Sequence, residues 1–366
     1  MFERRLYFHI DWTLVVAILL LCGLGLAMIY STTYDPTRHA AGPQFRIQIY
    51  ALLLGLAALA VCLSLDYRAL TEHALALYLA LVVVLLYVML FGAVRGGSRR
   101  WIPLGPLNLQ PSEFARIGVA LVLAGFFGEN RRGARTTSDL VVAGLLTLVP
   151  IVLIAREPDL GTAATLLPVY LGITFVAGLR LRLLAVLALV AALAAPVAWT
   201  YALKDYQRSR ISTFLDPQED PRGAGYQQIQ ASITVGSGGL TGKGFMQGTQ
   251  GQYKFLPVAH NDFIFSVLAE EFGFIGVLVA LGLYLFVILR SLEAARLAKD
   301  RVGAYLVAGI ASGFTFQVIY NVTMSAGLAP VKGLTLPLMS YGGSSIIATL
   351  AGFGLILNVR MRRFTN

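Results

Sequence analysis

Ionisable side chains interrupt a very apolar chain at only a few places, and their types suggest chemistry on an anionic ligand. Glu113 and Arg116 stand three residues apart, which puts them on one helix face. Arg156-Glu157-Pro158-Asp159 makes a charged turn ahead of Gly161. Glu270 and Glu271 lie about two turns into an apolar run that starts near 263, with one of them expected to face the interior. A structural ion pair or a solvated turn explains each by itself. At the lip of a membrane helix, however, such groups are costly and mark functional candidates.

Four further segments carry polar groups suited to a phosphate or a proton transfer. The 93–111 loop holds Arg95, Arg99 and Arg100. Gly236-Ser237-Gly238-Gly239-Leu240-Thr241-Gly242-Lys243-Gly244 could bring backbone N–H groups to an anion, or simply form a flexible loop. It is not a nucleotide P-loop, because the required glycine position is Ser237 and the residue after Lys243 is Gly244. His260-Asn261-Asp262 precedes an apolar run, so Asp262 reads either as a helix N-cap or as a general base at the membrane surface. Position alone favours the cap. Ser340-Tyr341-Gly342-Gly343-Ser344-Ser345 offers N–H and O–H donors at a helix start, or a surface for close helix packing.

The elements that must position these residues are membrane helices. Of 366 residues, 57% are hydrophobic and 13% charged, about half the usual charged fraction of a soluble domain. Lipid must therefore be the solvent for much of the surface. The apolar runs predict an all-α polytopic bundle of about ten spans, near 12–31, 45–65, 70–92, 112–128, 139–155, 161–178, 182–203, 263–290, 303–328 and 342–358. Pro150, Pro168 and Pro196 fall inside three of them and read as kinks. The net charge of +10 offers no case for nucleic acid, since no soluble domain is left to carry a basic patch. Cys22 and Cys62 sit in apolar runs as packing residues. Arg4 and Arg5 ahead of the first span suggest an uncleaved signal anchor.

Lys/Arg bias in the short loops orients the bundle with both termini in the cytoplasm. The Arg131/Arg132/Arg135, Arg290/Arg296/Lys299/Arg301 and Arg360/Arg362/Arg363 clusters then fall inside, and 204–262 becomes a large outer loop. Arg95, Arg99 and Arg100 remain outside against the rule, so an anion on that face, lipid headgroups included, is expected there.

These segments in this order resemble the SEDS family of peptidoglycan glycosyltransferases along nearly the whole chain, as a single SEDS-type transmembrane domain over 1–366. The likeness rests on Arg100-Trp101-Ile102, Gln110-Pro111-Ser112-Glu113, Glu157-Pro158-Asp159-Leu160-Gly161-Thr162-Ala163, Gly225-Tyr226-Gln227 and Gly236-Ser237-Gly238-Gly239. It continues through Gly242-Lys243-Gly244, Gly248-Thr249-Gln250, Leu256-Pro257, His260-Asn261-Asp262-Phe263-Ile264-Phe265, Glu270-Glu271, Asn321 and Ser340-Tyr341-Gly342-Gly343-Ser344-Ser345. The compact termini and Gly248-Thr249-Gln250 are more similar to the elongation branch than to the division branch.

The resemblance implies polymerisation of lipid II into β-1,4 glycan on the outer face of the bacterial inner membrane, inverting at the donor sugar and releasing undecaprenyl pyrophosphate. It implies Asp262 as the catalytic base, which reverses the cap-first weighting. Substrate contacts are implied at Glu113, Arg100, Arg99, Lys243, Arg116, Glu157, Asp159 and Ser344. A class B penicillin-binding protein and other elongation-complex membrane proteins are the implied partners. A divalent cation, Mg2+ or Mn2+, is chemically reasonable beside the pyrophosphate, though no ligand cluster specifies it. Two positions depart from the family pattern. Asn261 replaces a usual Thr, and Arg116 replaces a usual Lys, which keeps charge but rules against a proton carrier there. The competing expectations are a lipid II flippase, a division-type polymerase and a passive scaffold of the wall-building complex.

Overall fold

The computed structural model describes residues 9–35, 39–95, 98–105, 107–129, 137–178, 205–220, 223–252 and 255–364, with 193, 196 and 200 between them. Among these residues eight helices are long and apolar enough to cross a membrane. They are α1 (Trp12–Thr33), α2 (Pro43–Ser64), α4 (Ala74–Phe91), α5 (Ala115–Glu129, entered through a 3-10 turn at Pro111–Phe114), α6 (Thr137–Arg156), α11 (Ile264–Arg296), α12 (Arg301–Ser325) and α13 (Gly343–Met361). The apolar helix α7 (Leu160–Val176) is shorter, and the span expected at 182–203 lies almost wholly outside the described residues. The chain is thus a multi-pass helical bundle.

α13 forms the axis. Its side chains are buried from Ser344 through Met361 except for half-buried Ile347, as expected of a helix that is mostly apolar or small all round and surrounded by others. Glycine brings its neighbour close: a Cβ at Gly354 would stand 2.6 Å from Leu59 O on α2. At the far end Asn358 donates to Leu63 O at 2.7 Å and accepts from Tyr67 N at 3.3 Å, tying α13 to the end of α2 and the start of the short helix α3 (Tyr67–Glu72). Outward positions such as Leu53, Val83, Leu278 and Leu289 are exposed leucine and valine, the composition a lipid-facing surface requires.

Three expectations change. The span expected over 70–92 is two helices, α3 and α4, parted at His73, whose backbone leaves helical geometry. The 93–111 loop is ordered: β3 (Ala93–Arg95), β4 (Ser98–Leu104) and β5 (Leu107–Leu109) form an antiparallel sheet with Ile102 opposite Leu109. The 204–262 segment holds helices α8 (Asp205–Leu215), α9 (Ala224–Ser237) and α10 (Thr249–Gln252). Short polar sequences without a membrane period hid all of these.

The span α11 is broken rather than straight. Gly273 adopts φ 64°, ψ −163° inside α11, and the glycine turn after α9 inserts at the break. Lys243 N donates to Glu270 O at 2.9 Å and Gly244 N to Glu271 O at 3.0 Å, while Phe274 N and Ile275 N donate to Gly239 O and Leu240 O at 2.9 and 3.2 Å. The glycines are required by proximity, since a Cβ on Gly273 would lie 2.3 Å from Gly242 N. A helix can break beside lipid only where neighbouring backbone satisfies the freed groups, and this turn does so.

Candidate active site

One end of the bundle surrounds a cavity of about 410 Å³. Arg100, Asn108, Gln110, Glu113, Asp159, Asp262, Ser344 and Ser345 all line it, so segments distant in sequence converge. A larger chamber of about 990 Å³ adjoins it, sharing Ile47 and Val258 and lined also by Thr32, Asp35, Gln44, Arg46 and His260. The smaller cavity holds the convergent ionisable groups, which makes it the candidate centre.

Asp262 stands just before α11 and does not cap it. The N-cap position is Phe263, and no side chain bonds the helix start. Its backbone is held from two sides: Asp262 N donates to Val258 O at 3.3 Å, and its carbonyl accepts from Asn321 Nδ2 at 2.9 Å. Asn321 also donates to Leu334 O at 2.7 Å, fastening the 330–336 stretch against the carboxylate. Gly333 leaves room there, since a Cβ on it would come within 3.5 Å of Asp262 Oδ2. Burial pushes the Asp262 carboxyl up to about 6, with Asp159 adding and with Arg100 and Arg210 opposing. A carboxylate poised there is ionised at neutral pH yet basic enough to accept a proton.

Opposite lies a chain of ordered polar groups. Arg100, on β4, pairs with Asp159 at 3.2 Å, and its guanidinium stands 5.6 Å from the centroid of the Trp101 ring. Asp159 caps α7 through Thr162 N at 3.1 Å and accepts from Gln110 Nε2 at 2.7 Å. Gln110 N donates to Ser344 Oγ at 2.8 Å, and Ser344 Oγ donates to Asn108 O at 3.0 Å. The first turn of α13 thereby opens toward the cavity, presenting the free N–H groups of a helix N-terminus.

The floor is the Glu113–Arg116 ion pair at 2.7 Å. Arg116 also bonds Gln317 Oε1, whose own Nε2 donates to Thr335 O at 2.9 Å. Below it lies a void of about 20 Å³ walled by Ile117, Ile310, Phe314 and Phe353.

The remaining expected site residues lie elsewhere. Lys243 bonds Glu270 at 2.6 Å and does not line the cavity. Arg99 is exposed and donates to Leu90 O at 2.7 Å, turned away along the hairpin. Glu157 is buried, with both oxygens unbonded, and lies outside the lining; burial foremost, with Asp159 adding, pushes its carboxyl up to about 8. The side chain of Arg95 is outside the described residues. Arg46, in the larger chamber, and Arg210, on α8 and electrostatically coupled to Asp262, carry no spacing signal. Their only mark in the sequence is being positive residues outside the apolar runs. Among the described residues no group of three or more His, Cys, Asp or Glu converges on one point.

This arrangement belongs to a recognised class. A model of the cell cycle protein family FtsW/RodA/SpoVE matches residues 12–364, and the chain is a member of that family. Peptidoglycan glycosyltransferase MrdB of Escherichia coli K12 is 38% identical over 355 residues, covering 97% of this chain and 94% of that one. Peptidoglycan glycosyltransferase RodA of Treponema pallidum is 30% identical, covering 96% and 98%. A solved chain from a peptidoglycan synthase complex that coordinates polymerization and crosslinking superposes with a TM-score of 0.84 at 36% identity, covering 98% and 99%. The crystal structure of Thermus thermophilus rod shape determining protein RodA gives 0.72 at 33%, covering 98% of each chain.

Proposed function

We propose that this chain is an elongation-type peptidoglycan glycosyltransferase that polymerises lipid II at the outer face of the bacterial inner membrane. The observation that carries this reading is one cavity holding Asp262, Arg100 and the N-terminus of α13 together. The family membership and the names of the relatives support the reaction class.

In this reading the acceptor sugar places its 4-hydroxyl at Asp262. The carboxylate takes that proton as the oxygen bonds to the donor's anomeric carbon from the face opposite the pyrophosphate. The carbon–oxygen bond to pyrophosphate breaks, and its electron pair leaves with the phosphate. An α-linked donor therefore yields a β bond. Arg100 and the α13 N–H groups stabilise the charge that develops on the leaving group. Asp159 and Gln110 aim Arg100, while Glu113 and Arg116 close the floor. The adjoining 990 Å³ chamber gives room for the second substrate's saccharide. A class B penicillin-binding protein is the proposed partner in crosslinking the product, by analogy with the synthase complex. Further elongation-complex membrane proteins would share that assembly.

A flippase would need a polar route through the bundle. The side chains beneath Glu113 and Arg116 are instead Ile117, Phe314 and Phe353 around a void of about 20 Å³, which favours the polymerase. The deciding assay supplies purified protein and its partner with lipid II. Glycan forms with the wild type and not with Asp262→Ala; polymer from that variant would remove Asp262 as base.

A further inference from the structure

Glu270 is wholly buried in the first half of α11, yet it takes no place in the cavity. Its carboxylate gathers three separate stretches of the preceding segment. Oε1 accepts from Lys243 Nζ at 2.6 Å in the glycine turn and from Ser237 Oγ at 3.4 Å at the end of α9. It also accepts from Thr249 N at 2.9 Å and Thr249 Oγ1 at 3.0 Å, while Gln250 N reaches both oxygens at 3.2 Å. Lys243 Nζ in turn donates to Thr249 Oγ1 at 2.9 Å. The start of α10 is thus fixed to the first turns of a membrane helix by one acidic side chain.

From α10 the chain runs directly to the candidate base. Gln250 O accepts from Phe255 N and Leu256 N at 3.1 and 3.2 Å, and Val258 O then accepts from Asn261 N and Asp262 N at 3.0 and 3.3 Å. Asp262 makes no cap bond of its own, so this approach and Asn321 determine where its backbone stands. Packing repeats the link, because Val267, on α11 between Glu270 and Asp262, lies within 3.8 Å of where a Gly251 Cβ would sit.

We infer that Glu270 is a positioning residue for Asp262: with Lys243 it clamps the 243–262 segment to α11 and so holds the base at its reacting distance and depth. This rests on Asp262 being the base, and it gives Lys243 a task other than touching pyrophosphate. An error of about 1 Å in placing a catalytic group costs on the order of 100-fold in rate, so a slackened clamp acts on turnover before it acts on substrate binding.

The test uses the full chain with its transpeptidase partner in lipid nanodiscs, as wild type, Glu270→Gln and Lys243→Met. Both variants should lower kcat by about tenfold or more with KM for lipid II little changed. Amide exchange across 249–262 should speed up. The acidic limb of the rate profile should move below pH 6, because a less buried Asp262 titrates nearer its ordinary value. Wild-type exchange across 249–262 in both variants overturns the clamp. So does a fall in kcat with the acidic limb unmoved, since that is the mark of a smaller folded fraction. If Glu270→Gln does not accumulate, Lys243→Met decides alone. Exchange is read without turnover, so it stands apart from the Asp262→Ala assay that tests the base itself.

Discussion

Arg100 and Asp159 form a 3.2 Å ion pair that joins the β4 hairpin to the first turn of α7. The second oxygen of the same carboxylate caps that helix, so one residue both starts α7 and aims the guanidinium. Asp159→Ala should therefore show two separable losses. Removing the cap costs about 1 kcal/mol, read as a modest fall in melting temperature. Polymerisation should fall much further, and Asp159→Asn, which can still cap, should recover the stability without the rate. Equal rates in Asp159→Asn and the wild type would deny the aiming role.

Asp262, as the proposed base, should set the pH behaviour. With its carboxyl held near 6, the base is protonated in acid, so the rate should decline as pH falls through about 6 and level off above it. The stability sign is opposite. The folded carboxyl lies above its unfolded value of 3.8, so its contribution to stability is present in acid and diminishes as pH rises from 3.8 to about 6. Asp262→Asn should consequently melt higher than the wild type at pH 7.5 while making no glycan. Melting and polymerisation assays at several pH values check both.

Glu157 is raised further, to about 8, and neither oxygen has a partner. At neutral pH it is mainly the neutral acid, so Glu157→Gln should keep polymerisation within about twofold of wild type. The variant's gain in melting temperature should grow as pH rises from 4.5 to about 8 and stay constant beyond. A large loss of activity at pH 7 would show that the carboxyl is used.

The opposite end of the bundle is held by Asp11, whose side chain is 2% exposed and bonds Arg290 at 2.8 Å and Arg360 at 3.1 Å. Burial raises its carboxyl, but the bonds from Arg290 and Thr13 and the Arg360 charge outweigh this and hold it below the usual range. Arg360→Ala should cost about 1.5–3 kcal/mol, because the buried Asp11 carboxylate loses one of its two cations and keeps Arg290. Thermal unfolding in nanodiscs checks this, with glycan chemistry in the surviving folded protein unchanged.

Gly354 allows α2 and α13 to touch. Gly354→Val should cost about 1–3 kcal/mol by overpacking against Leu59. A melting temperature equal to wild type would mean the two helices separate freely.

Most of the bundle was legible because lipid imposes a crude rule: spans must be long and apolar. The bounds of α1, α6 and α13 follow from that rule alone. Its failures occur where local geometry overrides it, as at His73 and within Gly273. The site was legible in part. Motif order pointed to Asp262, Arg100, Asp159, Glu113 and Ser344, all of which line one cavity. A lysine among glycines resembles a phosphate binder, and nothing local in the sequence reveals that Lys243 bonds Glu270. Arg46 reaches the larger chamber, and Arg210 acts on Asp262, through tertiary folding, which leaves no periodic trace.

The broken span also bears on how the protein is made. Glu270 and Glu271 sit side by side in a segment that must enter the bilayer, where charged residues are costly unless paired. The groups that satisfy them, Lys243, Thr249 and Ser31, are all encoded upstream. They have left the ribosome before α11 emerges, so the segment's insertion partner is already waiting. Chain order here doubles as an assembly order: a permuted gene that placed 237–250 after α11 would ask the translocon to accept two bare carboxylates.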